Sequence, residues 1–224
     1  LLEKNSFIFE SVEKGKIKGR YTIFGKNPDK IWEFNNNNSY LIKEKKRIKL
    51  KEKPQKLIED IIEKFKFEVP SGLPSISSLI SGYFSYDSIR YLEKIPNSCK
   101  DDLKIPDVRL LRPRTLIIHD NLKKKIYYIS NVFNDEKIKD YTKKYFEIKT
   151  ELLKLLKQSS TKKFLIPTSN QLKKIDVKSN TPKNKFLSMV AKAKKYIKLG
   201  DIFQVVLSQR FEAKLTKKPI EIYK

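Results

Sequence analysis

The stretch RTLIIHDNLKKKIYYIS, residues 114–130, holds two apolar runs on either side of a polar turn. Both runs, Arg114–His119 and Lys125–Ser130, are rich in the β-branched and aromatic residues that favour strands. Asp120-Asn121 opens the segment between them, and this arrangement predicts a β-hairpin. Apolar residues then recur at helical spacing between Lys137 and Lys157, which predicts an amphipathic helix. Together these patterns predict an α+β fold, with mixed and antiparallel sheets flanked by helices.

The residues before the hairpin alternate short apolar runs with turn signals, which indicates further strands. Asn27-Pro28-Asp29 is predicted to be a turn that separates two of these strands. Pro54 is predicted to occupy the first turn of a helix, where its missing N–H does no harm. Gly82 suggests a close backbone approach. The predicted strands are Phe7–Phe9, Tyr21–Gly25, Ile31–Phe34 and Ile80–Tyr86, and the predicted helical face carries Leu57, Ile58, Ile61, Ile62 and Phe65.

The sequence changes character after residue 157 and predicts a second unit. Residues 158–180 are polar and weakly patterned, as in a linker. Thr181 and Pro182 predict the N-cap and first position of a helix that ends at Gly200. Residues 202–211 predict a strong strand. We therefore expect an N-terminal region over 1–157, a linker over 158–180, and the start of a second domain, cut short, over 181–224.

The net charge of the chain points to a possible class of binding partner. The 224 residues include 50 Lys and Arg against 26 Asp and Glu, which gives a formal net charge of +24. Such a balance is typical of proteins that bind nucleic acid or an anionic membrane. Only seven of the basic residues are Arg, and the lysines lie throughout the chain, often beside Glu. We therefore expect neither nucleic acid nor a membrane as partner, and keep a basic nucleic-acid-binding protein as the lesser alternative.

The counts of reactive residues exclude several classes of site. One cysteine and one histidine rule out a disulfide framework and the usual Cys/His zinc sites. The sequence has neither a run of about 18 apolar residues nor a signal peptide at its start, so we expect a cytoplasmic protein. His119 and Cys99 have no apparent catalytic partner. Arg112 and Arg114 are predicted to form structural salt bridges, with an inter-domain bridge as one possibility.

Three separated stretches carry a resemblance to a known family. They are FIFESVEKG with GRYTIFG (residues 7–15 and 19–25), SGYFSYDSIRYLEK (residues 81–94) and GDIFQVVLSQRF (residues 200–211). In this order and spacing they resemble anthranilate synthase component I, one of the chorismate-utilising enzymes. The resemblance implies that 1–157 is a regulatory region, that 181–224 begins the chorismate-binding catalytic domain, and that the chain is an N-terminal fragment.

The resemblance also implies an activity. The family's enzyme is a lyase of tryptophan biosynthesis that converts chorismate and ammonia to anthranilate and pyruvate. A separate glutamine amidotransferase subunit, component II, supplies the ammonia, Mg²⁺ holds the substrate carboxylate, and tryptophan is a feedback inhibitor. The Mg²⁺ ligands of the family would lie beyond Lys224, so no metal ligand is assigned here. We expect no turnover of chorismate by these 224 residues alone.

The residues that match functional positions of the family fall in two places. Glu10 and Ser11 match the tryptophan effector site, where a carboxylate can pair with an ammonium group and a hydroxyl can hydrogen-bond the ligand. Arg20, Tyr21 and Thr22 match the neighbouring strand of that site, with Thr22 in place of the family's usual Ser.

Gln204 matches a catalytic position. Relatives that add water to chorismate carry there a Lys that acts as general base, which a neutral amide cannot do. Ammonia has its own lone pair, so Gln204 favours ammonia as the nucleophile. Aminodeoxychorismate synthase component I, of the folate pathway, also uses ammonia and is the nearer alternative. Phe203 and Val206-Leu207-Ser208 resemble anthranilate synthase more closely.

Overall fold

The computed structural model describes residues 4–11, 19–65, 68–98, 100–161, 175–215 and 219–223, with only the backbone for 159–161 and 220. The chain divides into two compact units, Leu1–Lys162 and Lys163–Lys224. Most of the predicted linker, and Cys99, lie outside the described residues. The regulatory and catalytic roles assigned to the two regions remain predictions.

The first unit is built on one seven-stranded sheet in which every strand pair is antiparallel. The strand order is β4-β3-β2-β6-β5, with β1 also paired to β2 and β7 also paired to β6. The predicted α+β class is therefore confirmed, with an antiparallel sheet. The strands are β1 (Phe7–Phe9), β2 (Tyr21–Asn35), β3 (Asn38–Lys43), β4 (Lys46–Leu50), β5 (Ser81–Phe84), β6 (Val108–Asp120) and β7 (Lys125–Ser130).

The two central strands, β2 and β6, pair along almost their whole length and are interrupted at one point. Pro28 lies directly opposite Pro113, and the register shifts between Pro28 and Lys30, so that Asp29 is the extra residue of a β-bulge. Neither proline has an N–H to donate to the ladder, and proline within a sheet is found mainly at edges and bulges. The predicted turn at Asn27-Pro28-Asp29 is therefore wrong. The two expected strands are one bulged strand, β2, which pairs with β6 on both sides of the bulge.

The bulge divides the sheet into two halves, each with its own hydrophobic core. In one half, Trp32 and Phe34 of β2 pack with Val108 and Leu110 of β6 and with Ile61. In the other half, a separate cluster forms around β6 and β7, and its buried members are Leu116, Ile118 and Ile129, with Phe7, Tyr21 and Ile23 packed against it. Ile76 and Leu79, from the segment before β5, also pack on this second cluster, so one face of the sheet is covered along both halves.

The hairpin predicted over residues 114–130 is confirmed, since β6 and β7 pair from Thr115 opposite Ser130 to Asp120 opposite Lys125. The close backbone approach at Gly82 is confirmed as well. A Cβ atom on Gly82 would lie 1.9 Å from the carbonyl oxygen of Arg109 on the neighbouring strand. This position therefore admits only glycine without a shift of the β5 backbone.

The helices of the first unit are α1 (Pro54–Lys64), a 3-10 helix (Tyr86–Tyr91) and α2 (Tyr141–Thr161). Pro54 stands in the first turn of α1, as predicted. Ile61 is buried in the core, whereas Ile62 is 64% exposed, so the covered face of α1 is narrower than its apolar pattern suggests. No helix among the described residues is long and apolar enough to cross a membrane.

The second unit contains β8 (Val177–Ser179), α3 (Lys183–Leu199), β9 (Phe211–Ala213) and α4 (Pro219–Tyr223). The C-terminus of α3 is as predicted, because Gly200 adopts the left-handed conformation with φ 80°. Its N-terminus is one residue later than predicted: Pro182 is the N-cap, and the Thr181 hydroxyl bonds Asn180 instead of the helix.

The strong strand predicted over residues 202–211 does not form among the described residues of this unit. Only Phe211–Ala213 pairs, with Val177–Ser179. A strand needs a neighbour for its backbone N–H and C=O groups and cover for its apolar face. Here Phe203 is 94% and Val206 81% exposed, so the apolar pattern of this segment is left uncovered within the unit.

Ion pairs at the bulge link β6 to β2 and to the segment that follows β7. The Arg112 guanidinium donates two hydrogen bonds to the Asp29 carboxylate, one of them at 2.9 Å, and a further bond of 2.9 Å to Asp135. It also lies 3.8 Å from the centre of the Phe133 ring. Burial alone would lower the pKa of Arg112, but the bonds to Asp29 and Asp135 raise it above its ordinary value. Arg114 pairs in the same way with Glu136 at 3.0 and 2.9 Å, so the structural role predicted for both arginines is confirmed within the first unit.

Asp29→Asn is expected to lower the free energy of unfolding by about 3 kcal/mol, because it removes the more buried of the two carboxylates that pair with the buried Arg112 guanidinium. Both side chains of the Arg112–Asp29 pair are only 10% exposed. Urea unfolding of the chain measures the change. The control is Asp60→Asn, which breaks the exposed pair with Lys64 and should cost less than about 0.5 kcal/mol. Equal effects of the two substitutions would contradict the role assigned to the bulge.

Candidate functional site

Two of the predicted effector residues, Glu10 and Ser11, follow the end of β1 and are exposed. The β1–β2 register ends with Phe9 opposite Ile23. Continued one residue further, this register brings Glu10 to Thr22, and two residues further it brings Ser11 to Tyr21. The fold therefore gathers residues from two separate parts of the sequence at one end of the sheet.

Strand alternation divides this set between the two faces of the sheet. Tyr21 and Ile23 pack against the Leu116–Ile118 cluster on the covered face. Thr22 lies between them in β2, so its side chain is on the opposite face. Glu10, opposite Thr22, shares that second face, and Ser11 follows Tyr21 on the first. Four of the five residues that match one site in sequence are thus divided between the two faces of the sheet.

Arg20 forms an ion pair with Asp120 within the sheet. Its Nε and Nη2 atoms donate to the two Asp120 carboxylate oxygens at 3.1 and 2.7 Å, and the Asp120 side chain is only 1% exposed. The guanidinium also lies 4.7 Å from the centre of the Tyr21 ring. Asp120 in turn accepts the backbone N–H groups of Leu122 and Lys123 at 3.0 Å. Arg20 therefore ties the start of β2 to the turn of the β6–β7 hairpin.

The hydrogen bonds from Arg20 lower the pKa of Asp120 well below its usual range, helped by the two backbone N–H donors. The same pair raises the pKa of Arg20. At the bulge, burial alone would raise the pKa of Asp135, but hydrogen bonds from Lys30 and Arg112 lower it to about 2. The ion pairs of the first unit thus favour charged carboxylates down to low pH.

His119, which sequence reasoning set aside as non-catalytic, is half-buried and lies directly opposite Thr22 in the β2–β6 pair. No sequence pattern indicates that Thr22 and His119 are neighbours, because they are far apart in the chain and meet only through the strand register.

Gln204, the predicted catalytic residue, is exposed in the segment between α3 and β9. The nearby Phe203 and Val206 are exposed too, so this segment presents these side chains to solvent among the described residues of the second unit.

No group of three or more His, Cys, Asp or Glu side chains that could hold a metal ion occurs in the described part of the chain. The described residues therefore do not fit the Mg²⁺ that the resemblance implies, and no chemical step is assigned to that ion.

Two clefts of the first unit lie away from the predicted effector residues. One, of about 990 Å³, is bordered by the bulge of β2, the β3–β4 turn and the start of α2, and is lined mainly by paired charges such as Arg114 and Glu136. The other, of about 340 Å³, lies between α1 and the sheet and is lined by Trp32, Ile61 and Phe133, with Arg112 at its edge.

Comparison with known proteins assigns the chain to a family. The model of the family described as chorismate binding enzyme matches residues 4–224. The chain belongs to this family. The solved anthranilate synthase component I from Streptococcus pneumoniae matches with a TM-score of 0.72 and 26% sequence identity, over 100% of this chain and 47% of that one.

Curated relatives are also named as anthranilate synthase subunits. Anthranilate synthase component 1 of Acetivibrio thermocellus is 34% identical over 223 residues, which are 97% of this chain and 45% of the relative. Anthranilate synthase alpha subunit 1 of Oryza sativa subsp. japonica is 32% identical over 243 residues, which are 99% of this chain and 41% of the relative. The chain thus spans about half the length of the curated relatives it matches.

Asp120→Asn is expected to lower the free energy of unfolding at pH 7. It should also make this free energy depend less on pH in the acid range. A carboxyl whose pKa is lowered by folding stabilises fully above its unfolded pKa of about 4, and this stabilisation is lost as the pH falls toward the folded pKa. The wild type should therefore lose more unfolding free energy than Asp120→Asn between pH 6 and pH 3. Urea unfolding across this range measures it, with the exposed Asp87→Asn as control. Parallel pH profiles for wild type and Asp120→Asn would contradict the assignment.

Proposed function

We propose that this chain is part of an anthranilate synthase component I, a lyase that converts chorismate and ammonia to anthranilate and pyruvate in tryptophan biosynthesis. The observation that carries the proposal is the agreement of its relatives: matches from bacteria and plants that cover 97–99% of this chain bear the anthranilate synthase name. The family match over residues 4–224 supports chorismate as the substrate.

The amide side chain of Gln204 supports ammonia as the nucleophile. A neutral amide has no pKa near neutrality and cannot take a proton from water, whereas it can orient a small molecule through its N–H and C=O groups. Ammonia needs such orientation more than it needs a base. Gln204 is therefore proposed to position ammonia against the chorismate ring.

Ammonia would come from glutamine through a component II amidotransferase, and Mg²⁺ would be held by residues that this chain does not contain. Tryptophan would act as feedback inhibitor through the end of the β1–β2 pair, where Glu10 and Thr22 meet. The proposed location of this enzyme is the cytoplasm.

Gln204→Ala is expected to lower ammonia-dependent formation of anthranilate by about 10²-fold, because loss of a group that orients a reactant can cost about this much. The assay uses the protein that carries this chain, with chorismate, ammonium and Mg²⁺, and follows anthranilate fluorescence and pyruvate release together.

The matched control is Gln209→Ala, five residues along the same segment. The Gln209 side chain contacts Ser179 at 3.4 Å, so this substitution tests local disturbance without removing the predicted catalytic amide. Near-normal activity of Gln204→Ala would overturn the role of Gln204, and absence of anthranilate from the unaltered protein would overturn the proposed function.

A further inference from the structure

The segment that carries Gln204 is fastened at both of its ends, on either side of α3. At its beginning, the backbone N–H of Asp201 bonds a carbonyl group in the last turn of α3 at 3.0 Å. At its end, Arg210 bonds Asn180, which lies just before α3. Residues 201–210 therefore span the helix from its C-terminal end back to its N-terminal end.

Asn180 takes the place of a strand partner for Arg210. Its backbone N–H donates to the Arg210 carbonyl at 3.0 Å, one residue beyond the Ser179–Phe211 pair that ends the β8–β9 ladder. In a continued ladder the Arg210 N–H would bond the backbone carbonyl of Asn180, but here it bonds the side-chain Oδ1 at 2.9 Å. The same oxygen accepts the Thr181 hydroxyl at 3.0 Å. The Asn180 side chain thus extends the pairing by one residue while the backbone turns into α3.

The segment has little slack between its two attachments. The helix α3 has 17 residues, which at about 1.5 Å per residue is a length of about 25 Å. Ten residues reach at most about 33–36 Å when they are fully extended. Residues 201–210 therefore stay close to extended, and side chains alternate between opposite sides along such a chain. A slip of one residue at Arg210 would turn the Gln204 side chain to the other side.

We propose that Asn180 is a positioning residue, which fixes the register in which the segment presents Gln204. The inference rests on the role proposed above for Gln204 in orienting ammonia, and adds the group that holds this amide in place. Gln204 is exposed, so the register of its backbone, more than packing, sets the direction of its amide. Asn180 acts through the backbone of Arg210 and takes no part in the reaction itself.

Hydrogen exchange of the protein that carries this chain tests the attachment. Asn180→Ala removes the acceptor of the Arg210 N–H, so peptides that cover residues 201–210 should exchange about 3- to 10-fold faster, the factor for one hydrogen bond. Asn180→Asp keeps an oxygen that accepts both bonds and should exchange like the wild type. Thr181→Val removes only the hydroxyl bond and is the matched control. Unchanged exchange in Asn180→Ala would overturn the inference.

A double-mutant cycle tests whether Asn180 acts through Gln204. Asn180→Ala should lower kcat/KM for ammonium about 3- to 10-fold, and Asn180→Asp should keep it near the wild-type value. In the Gln204→Ala protein, Asn180→Ala should have no further effect, because residues that act as a unit are not additive. An equal loss in both backgrounds would make Asn180 merely structural and overturn the inference.

The kinetic outcomes distinguish failure of this inference from failure of the proposed function. If Gln204→Ala lowers activity but Asn180→Ala does not, Asn180 is not a positioning residue, and the inference fails while the role of Gln204 stands. If Gln204→Ala is as active as the unaltered protein, or the unaltered protein makes no anthranilate, both fail.

Discussion

Two prolines face each other across the central strands of the sheet, and the arrangement of the first unit follows from this break. Pro28 and Pro113 remove two N–H donors at the same point, and Asp29 is extruded there as the extra residue of the bulge. The Arg112–Asp29 ion pair bridges the same two strands, so the ladder is replaced by a charge-assisted link where it is interrupted. The sheet consequently carries two cores, and the candidate effector residues belong to the half formed by β1, β2, β6 and β7.

The parts of the fold that the sequence predicted are those decided by local patterns. The β6–β7 hairpin, the Pro54 start of α1 and the Gly200 end of α3 each follow from side chains within a few residues. The bulge could not be predicted in this way, because Asn27-Pro28-Asp29 has the composition of a turn and becomes part of a strand only through pairing with β6. The strand expected over 202–211 is the opposite case: its pattern is strong, but among the described residues only Phe211–Ala213 has a partner strand.

The candidate site, too, could be predicted from the sequence only in part. Family resemblance identifies Glu10, Ser11, Arg20, Tyr21 and Thr22 as one group, yet strand alternation and the Arg20–Asp120 ion pair assign them to different surroundings. His119 joins Glu10 and Thr22 through strand register, which no motif records. Residue identity therefore indicated the chemistry of the site, whereas pairing across strands decided which side chains share one face of the sheet.

The central claim is that the protein carrying this chain makes anthranilate. The most direct test is the regiochemistry of its product, determined by NMR after reaction of chorismate with ¹⁵N-ammonium. The account predicts an aromatic product with the labelled amine ortho to the carboxylate and one pyruvate released per molecule. A product that bears the amine para to the carboxylate and retains the enolpyruvyl group would contradict it and make the enzyme an aminodeoxychorismate synthase.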